Sequence, residues 1–191
     1  MEVGSRKKED SYLLPSCFTL PTSYFPVNKD LTRFIVTSLG IFVSWYLLYD
    51  LWILPDGRVD HALSLHIIGM AKGILELFGF DIITYARVIS LPGANGIEMV
   101  DGCNGLEALG LFVGFVIAFK GTWKNRAWFI PMGLFLIYLV NILRVVVLVI
   151  TQKHAPAMFT ITHDYSTTAI FYIVIFALWV WWSSLSEKEE I

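Results

Sequence analysis

From Ala127 to Ile150 the chain carries a single charge, Arg144, over a stretch that reaches the roughly 20 residues a membrane-spanning helix needs. Such a run can sit only in lipid or inside a large core. Phe34 to Leu54 and Thr167 to Leu185 are of the same kind. Leu106 to Phe119 is shorter, and reaches about 17 residues only if its helix starts near Cys103. A soluble domain of 191 residues has no interior able to hide this much apolar surface. Hydrophobic residues make up 56% against 16% charged, and the mean hydropathy is +0.64. The same figures exclude intrinsic disorder, which needs a chain poor in apolar residues. Seven Trp and fourteen Phe suit membrane interfaces. A formal net charge of -2 lacks the basic stripe of a nucleic-acid binder. Two cysteines supply neither a disulfide scaffold nor a cysteine zinc site.

A fifth run, His61 to Phe80, is interrupted by His66, Lys72 and Glu76. On a helical wheel Leu63, Ile67, Met70, Ile74, Leu77 and Phe78 share one face, with His66, Gly69, Lys72, Gly73 and Glu76 on the other. That pattern is expected of a helix lying in the interface. Downstream, Ile82 to Ile89 and Ile97 to Val100 flank Leu91-Pro92-Gly93-Ala94-Asn95-Gly96, the signal of a short β-hairpin. The expected fold is therefore an all-α membrane protein with four transmembrane helices, an outer interfacial amphipathic helix and a short hairpin. Residues 1–33 read as a cytoplasmic or interfacial arm without a cleaved signal peptide. The transmembrane catalytic domain covers 34–185, and 186–191 form a cytoplasmic tail.

Lys and Arg in the loops set direction. Arg6, Lys7, Lys8, Lys29, Arg33, Lys120, Lys124, Arg126 and Lys188 fall on one side of a four-span arrangement, against Arg58, Lys72, Arg87 and Lys153 on the other. Nine against four puts both termini in the cytoplasm of a multi-pass protein of the cell (inner) membrane.

This topology gathers the chemically unusual residues at the outer face. Cys103 lies in Asp101-Gly102-Cys103-Asn104-Gly105, at the start of the second span. Glycines on both sides permit a sharp turn, and a helix N-terminus and a nearby cation both stabilise a thiolate, the attacking form. Cys17 falls on the opposite side and cannot pair with it. Arg144 sits six residues before the outer end of its span, about 9 Å deep. An intramembrane arginine is a functional hypothesis by default, against the alternative that its stem lifts the guanidinium to the interface. Asn141, one turn earlier, either holds that guanidinium or bonds a neighbouring helix. His163 precedes the last span, and Asp164 either orients it or caps the helix with Ser166. His154 is a bystander in the same loop. Glu107, one turn below Cys103, needs a partner if it faces the bundle. Gly110 and Gly114 form a small-x-x-x-small pair suited to helix packing. His61 and His66 are badly spaced for one metal, so neither metal nor cofactor is expected.

Cys-Asn-Gly at the start of a span, Asn-x-x-Arg in the next and His before the last resembles the exosortase/archaeosortase family, over Phe34 to Ser184. The chain looks like a compact bacterial-type member. The resemblance implies a membrane cysteine protease-transpeptidase that cleaves C-terminal sorting tails of exported proteins at the outer face and transfers them to an acceptor. It also implies a catalytic set of Cys103, Arg144 and His163, supported by Asn104, Asn141 and Asp164, with exported proteins and membrane lipid as partners and no nucleic acid. The residues alone leave two rivals: a membrane assembly partner without activity, and a cysteine acyltransferase.

Orientation is open to direct measurement. Reporter fusions at Lys124 and at Thr160 should report opposite sides of the membrane; the same side from both would refute the span assignment.

Overall fold

A computed structural model describes residues 29–187. Cys17, with most of the N-terminal arm, and the tail from Lys188 onward lie outside the described residues. The protein is mostly helical. Helix α1 (Lys29–Leu48) continues through a π-helical turn, Tyr49–Ile53, into the short α2 (Leu54–Asp56). Gly57, in the left-handed region at φ +65°, ends it. Helix α3 (Arg58–Leu77) follows directly, then strands β1 (Ile83–Tyr85), β2 (Val88–Ser90) and β3 (Ile97–Glu98). The bundle is completed by α4 (Leu106–Ala118), α5 (Trp123–His154), the one-turn α6 (Phe159–Ile161) and α7 (Thr167–Glu187). A second π-helical turn, Thr162–Ser166, joins the last two.

Among the described residues three helical segments are long and apolar enough to cross a membrane: Lys29–Asp56, Trp123–His154 and Pro156–Ser186. The fourth apolar run does not reach that length. Helix α4 has 13 residues, about 20 Å at the α-helical rise, against a hydrocarbon layer of about 30 Å. It starts at Leu106 and not near Cys103. Gly105 at φ +81° holds the preceding backbone in a left-handed turn that an α-helix cannot include.

Contacts at the chain's turning points show how the helices run. Lys120, after α4, pairs with Asp30 at the start of α1 at 3.2 Å, and Ser186 near the end of α7 donates to the Lys120 carbonyl at 2.8 Å. Arg126, in the first turn of α5, donates to the carbonyls of Val116, Ile117 and Phe119 and so satisfies the C-terminus of α4. The starts of α1 and α5 therefore share one end of the bundle with the ends of α4 and α7. The Cys103 loop lies at the opposite end.

Two apolar cores hold the arrangement. Phe112, Phe129, Ile137, Phe171, Ile175, Leu178 and Trp182 lock α4, α5 and α7 together. Ile67, Ile68, Ala71 and Leu75 pack α3 against Ile142, Val145, Val146 and Val149 of α5, with Ile89, Leu91 and Met99 of the sheet closing over them. The buried stripe of α3 is Asp60, Ser64, Ile67, Ile68, Ala71 and Leu75. Of the apolar face read from the sequence, Ile67 lies in this stripe, while Met70, Leu77 and Phe78 are exposed, Leu77 at 85%. In a lipid-facing helix both the core side and the outward side are apolar, so hydropathy alone does not separate them.

The hairpin expected across residues 91–96 is present, with Ile89 opposite Ile97. The Ile82–Ile89 run, however, is two strands folded on each other, with Tyr85 opposite Val88 and Ala86 at φ +48°. The sheet is three antiparallel strands in the order β1-β2-β3.

Helix α1 is almost unburied, and it meets α4 along the two glycines. A Cβ on Gly110 would lie 2.0 Å from the Trp45 ring, and one on Gly114 2.9 Å from Ile41. Gly110→Leu should therefore destabilise the bundle by about 1–3 kcal/mol, seen as an earlier unfolding midpoint in detergent. Gly73→Ala, with open space around it, should be neutral or stabilise by about 0.5–1 kcal/mol.

Candidate functional site

The Cys103 loop is a tight turn between β3 and α4, built on two left-handed glycines. Gly102 has φ +82° and Gly105 φ +81°. A Cβ on Gly105 would also lie 3.1 Å from Asn141 Nδ2 and 3.2 Å from the Phe171 ring. Glycine there lets α5 and α7 close onto the turn. The Cys103 N–H donates to the Val100 carbonyl at 3.1 Å, and an Arg87–Asp101 ion pair ties the start of the turn to the sheet.

Beneath the turn lies a buried polar cluster. Asn104 is 2% exposed, and its side-chain amide donates to Asp60 Oδ1 at 2.8 Å and to the Asp60 carbonyl at 3.2 Å. Its Oδ1 accepts from Leu106 N–H at 3.0 Å, which satisfies an amide in the first turn of α4. Asn141, 1% exposed, donates through Nδ2 to the Asn104 carbonyl. Asp60 is fully buried, and its Oδ1 also accepts from Gly102 N–H at 3.2 Å and from Tyr49 Oη–H at 3.1 Å. Asp60 Oδ2, Ser64 Oγ, Asn141 Oδ1 and Arg144 Nε are buried without hydrogen-bond partners.

The residues singled out in the sequence fall around this cluster in different ways. Asn104 and Asn141 are joined directly, so Asn141 serves the turn. Cys103 is a free, half-buried thiol packed against the α3–α5 core. Arg144 stands on α5 one turn beyond Asn141, half-buried. His163 lies in the π-helical turn, about two turns before Phe171, the α7 residue that reaches Gly105. Its Nδ1 is 2.7 Å from Asp164 Oδ1, and its ring stacks on Phe159 at 5.8 Å. Glu107 is exposed and does not face the bundle interior; His154 is exposed at the end of α5. His66 is 2.6 Å from the Tyr138 hydroxyl. Among the described residues no group of three or more His, Cys, Asp or Glu could hold a metal ion.

Asp60 and Tyr49 are the members of the cluster that sequence reading overlooked. Asp60 lies in helical register with Ser64, Ile67, Ala71 and Leu75, so the buried stripe of α3 was the signal that could have found it.

Asn141→Ala should leave the buried Asn104 carbonyl without its donor and destabilise the protein by about 1–3 kcal/mol. The exposed neighbour Leu143→Ala should stay within about 0.5 kcal/mol of the parent in the same denaturation experiment.

No curated protein and no solved structure matches the chain significantly. The family model described as Transmembrane exosortase (Exosortase_EpsH) matches residues 17–180, which takes in the sheet, the Cys103 turn, Arg144 and His163. That match covers most of the sequence, and the chain belongs to the transmembrane exosortase family.

Proposed function

We propose that this protein is a cysteine transpeptidase of the cell membrane that cleaves C-terminal sorting tails of exported proteins and passes the new C-terminus to an acceptor amine. Family membership suggests the sorting role. The observation that carries the assignment to Cys103 is a free thiol on a turn whose backbone is held by buried Asp60, Asn104 and Asn141. A nucleophile gains from being held in place before its substrate arrives. In this reading both termini are cytoplasmic and the site opens at the outer face.

The reaction follows from the groups in hand. Cys103 thiolate attacks the scissile carbonyl, and the C–N bond breaks to leave a thioester on Sγ. Arg144 stabilises the oxyanion of the tetrahedral intermediate, for which its planar fork of N–H donors is suited. His163, oriented by Asp164, donates the proton that lets the tail leave as an amine. The same imidazole then accepts a proton from the incoming amine, which attacks the thioester, forms the new amide and restores the thiolate. Water in place of the amine would give hydrolysis.

The test is processing of an exported substrate in cells carrying single variants. Cys103→Ser should abolish it. Arg144→Ala should lower turnover by about 10²–10³, the loss expected for a removed oxyanion donor, and Arg144→Lys should fall nearly as far because it lacks the fork. His163→Ala should slow turnover and let a covalent Cys103 adduct accumulate, detectable as added mass. His154→Ala should be close to silent. Full processing by Cys103→Ala would discard the enzyme assignment.

A further inference from the structure

We infer that Asp60 is the positioning residue for the Cys103 turn, acting through hydrogen bonds to the residues on either side of the thiol; this role rests on the assignment of Cys103 as nucleophile. One carboxylate oxygen accepts from Gly102 N–H before Cys103 and from the Asn104 side chain after it. The residue between them is fixed through its neighbours, while its own thiol packs half-buried against the α3–α5 core. The Tyr49 hydroxyl holds the same oxygen from the far side, and Tyr49 is the first residue of the π-helical turn that extends α1. π-helical turns inside α-helices are frequent at functional sites. Here the turn brings α1 into a network that already joins α3, the turn and α5.

The chemistry of Asp60 argues against simple packing. Removing a carboxylate from water is expensive, and such a group normally has both oxygens satisfied. In Asp60 only Oδ1 has partners, three of them, while Oδ2 has none. An apolar side chain in line with Ile67 and Ala71 would fill the space without that penalty. What it would not provide is an acceptor for Gly102 and Asn104.

The orphaned Oδ2 makes the hypothesis sharp. Asparagine at position 60 keeps the acceptor at Oδ1 and puts an amide group where no hydrogen bond exists to be lost. Positioning by hydrogen bonding therefore survives Asp60→Asn and not Asp60→Ala. Positioning by charge survives neither.

The experiment uses the full chain in detergent in a Cys17→Ser background, so that Cys103 is the one thiol. Two readouts are taken: the rate of Cys103 alkylation by N-ethylmaleimide as a function of pH, and amide hydrogen exchange at Gly102. Asp60→Asn should stay within threefold of the parent in both. Asp60→Ala should exchange the Gly102 amide at least tenfold faster and alkylate Cys103 at least threefold faster, with exchange in α5 and α7 unchanged. Where the alanine variant does not fold, Asp60→Val, which keeps the buried volume filled, serves in its place and should behave as described for alanine. Parent-like behaviour of the alanine or valine variant would overturn the inference. Equal effects of asparagine and alanine, or protection lost throughout α3 and α5, would also overturn it. Neither readout needs a sorting tail, so a protein that processes no substrate would sink the transpeptidase assignment and leave this result standing.

Discussion

The contact between Asn104 and Asp60 is the interaction on which the rest of the site depends. It joins the turn after β3 to the first turn of α3, across a wide gap in sequence, in a place with no water to compete. Asn104 engages three of its polar groups there. Its amide goes to Asp60, its side-chain oxygen to the start of α4, and its backbone carbonyl to Asn141. In a low-dielectric interior such bonds strengthen one another, and an unmade one is correspondingly costly.

Glycine decides how near the elements come. Gly105 admits both Asn141 and Phe171 to the turn, and Gly133 admits the Phe112 ring, since a Cβ there would lie 2.1 Å from it. Gly121 does the same for Trp182 at the opposite end. Without a large hydrophobic gain on helix association in lipid, close backbone approach supplies the packing. Asn104 and Asn141 can meet because the turn that carries one and the helix that carries the other are drawn together at Gly105.

The proposed catalytic groups stand at unequal distance from this centre. Cys103 is part of the turn and Arg144 adjoins Asn141 on the same helix. His163 belongs to the segment between α5 and α7, paired with Asp164 and stacked on Phe159. Cys103 is thus held by the bundle, and His163 by a short π-helical connection.

Much of this was legible in the residues. Apolar runs identified a membrane protein, Pro-Gly and Asn-Gly the β2–β3 turn, and Cys103, Arg144 and His163 the family. Those signals are local: hydropathy, turn chemistry and the order of motifs need no partner to be read. Gly110 and Gly114 likewise announced a packing face, which α1 occupies. The tertiary structure decided what depends on who faces whom. Asp60 was passed over, because nothing in its neighbourhood in the sequence shows that Gly102, Asn104 and Tyr49 converge on it. Which side of α3 meets the bundle was left open, because lipid, like a protein core, accepts apolar side chains, so a membrane helix lacks the contrast that orients one in water. Asn141 had two open roles, holding the Arg144 guanidinium or bonding a neighbouring helix, and the structure shows a third partner, the Asn104 carbonyl of the turn. The start of α4 was set by the φ of Gly105, a backbone angle that the letter G permits but does not dictate.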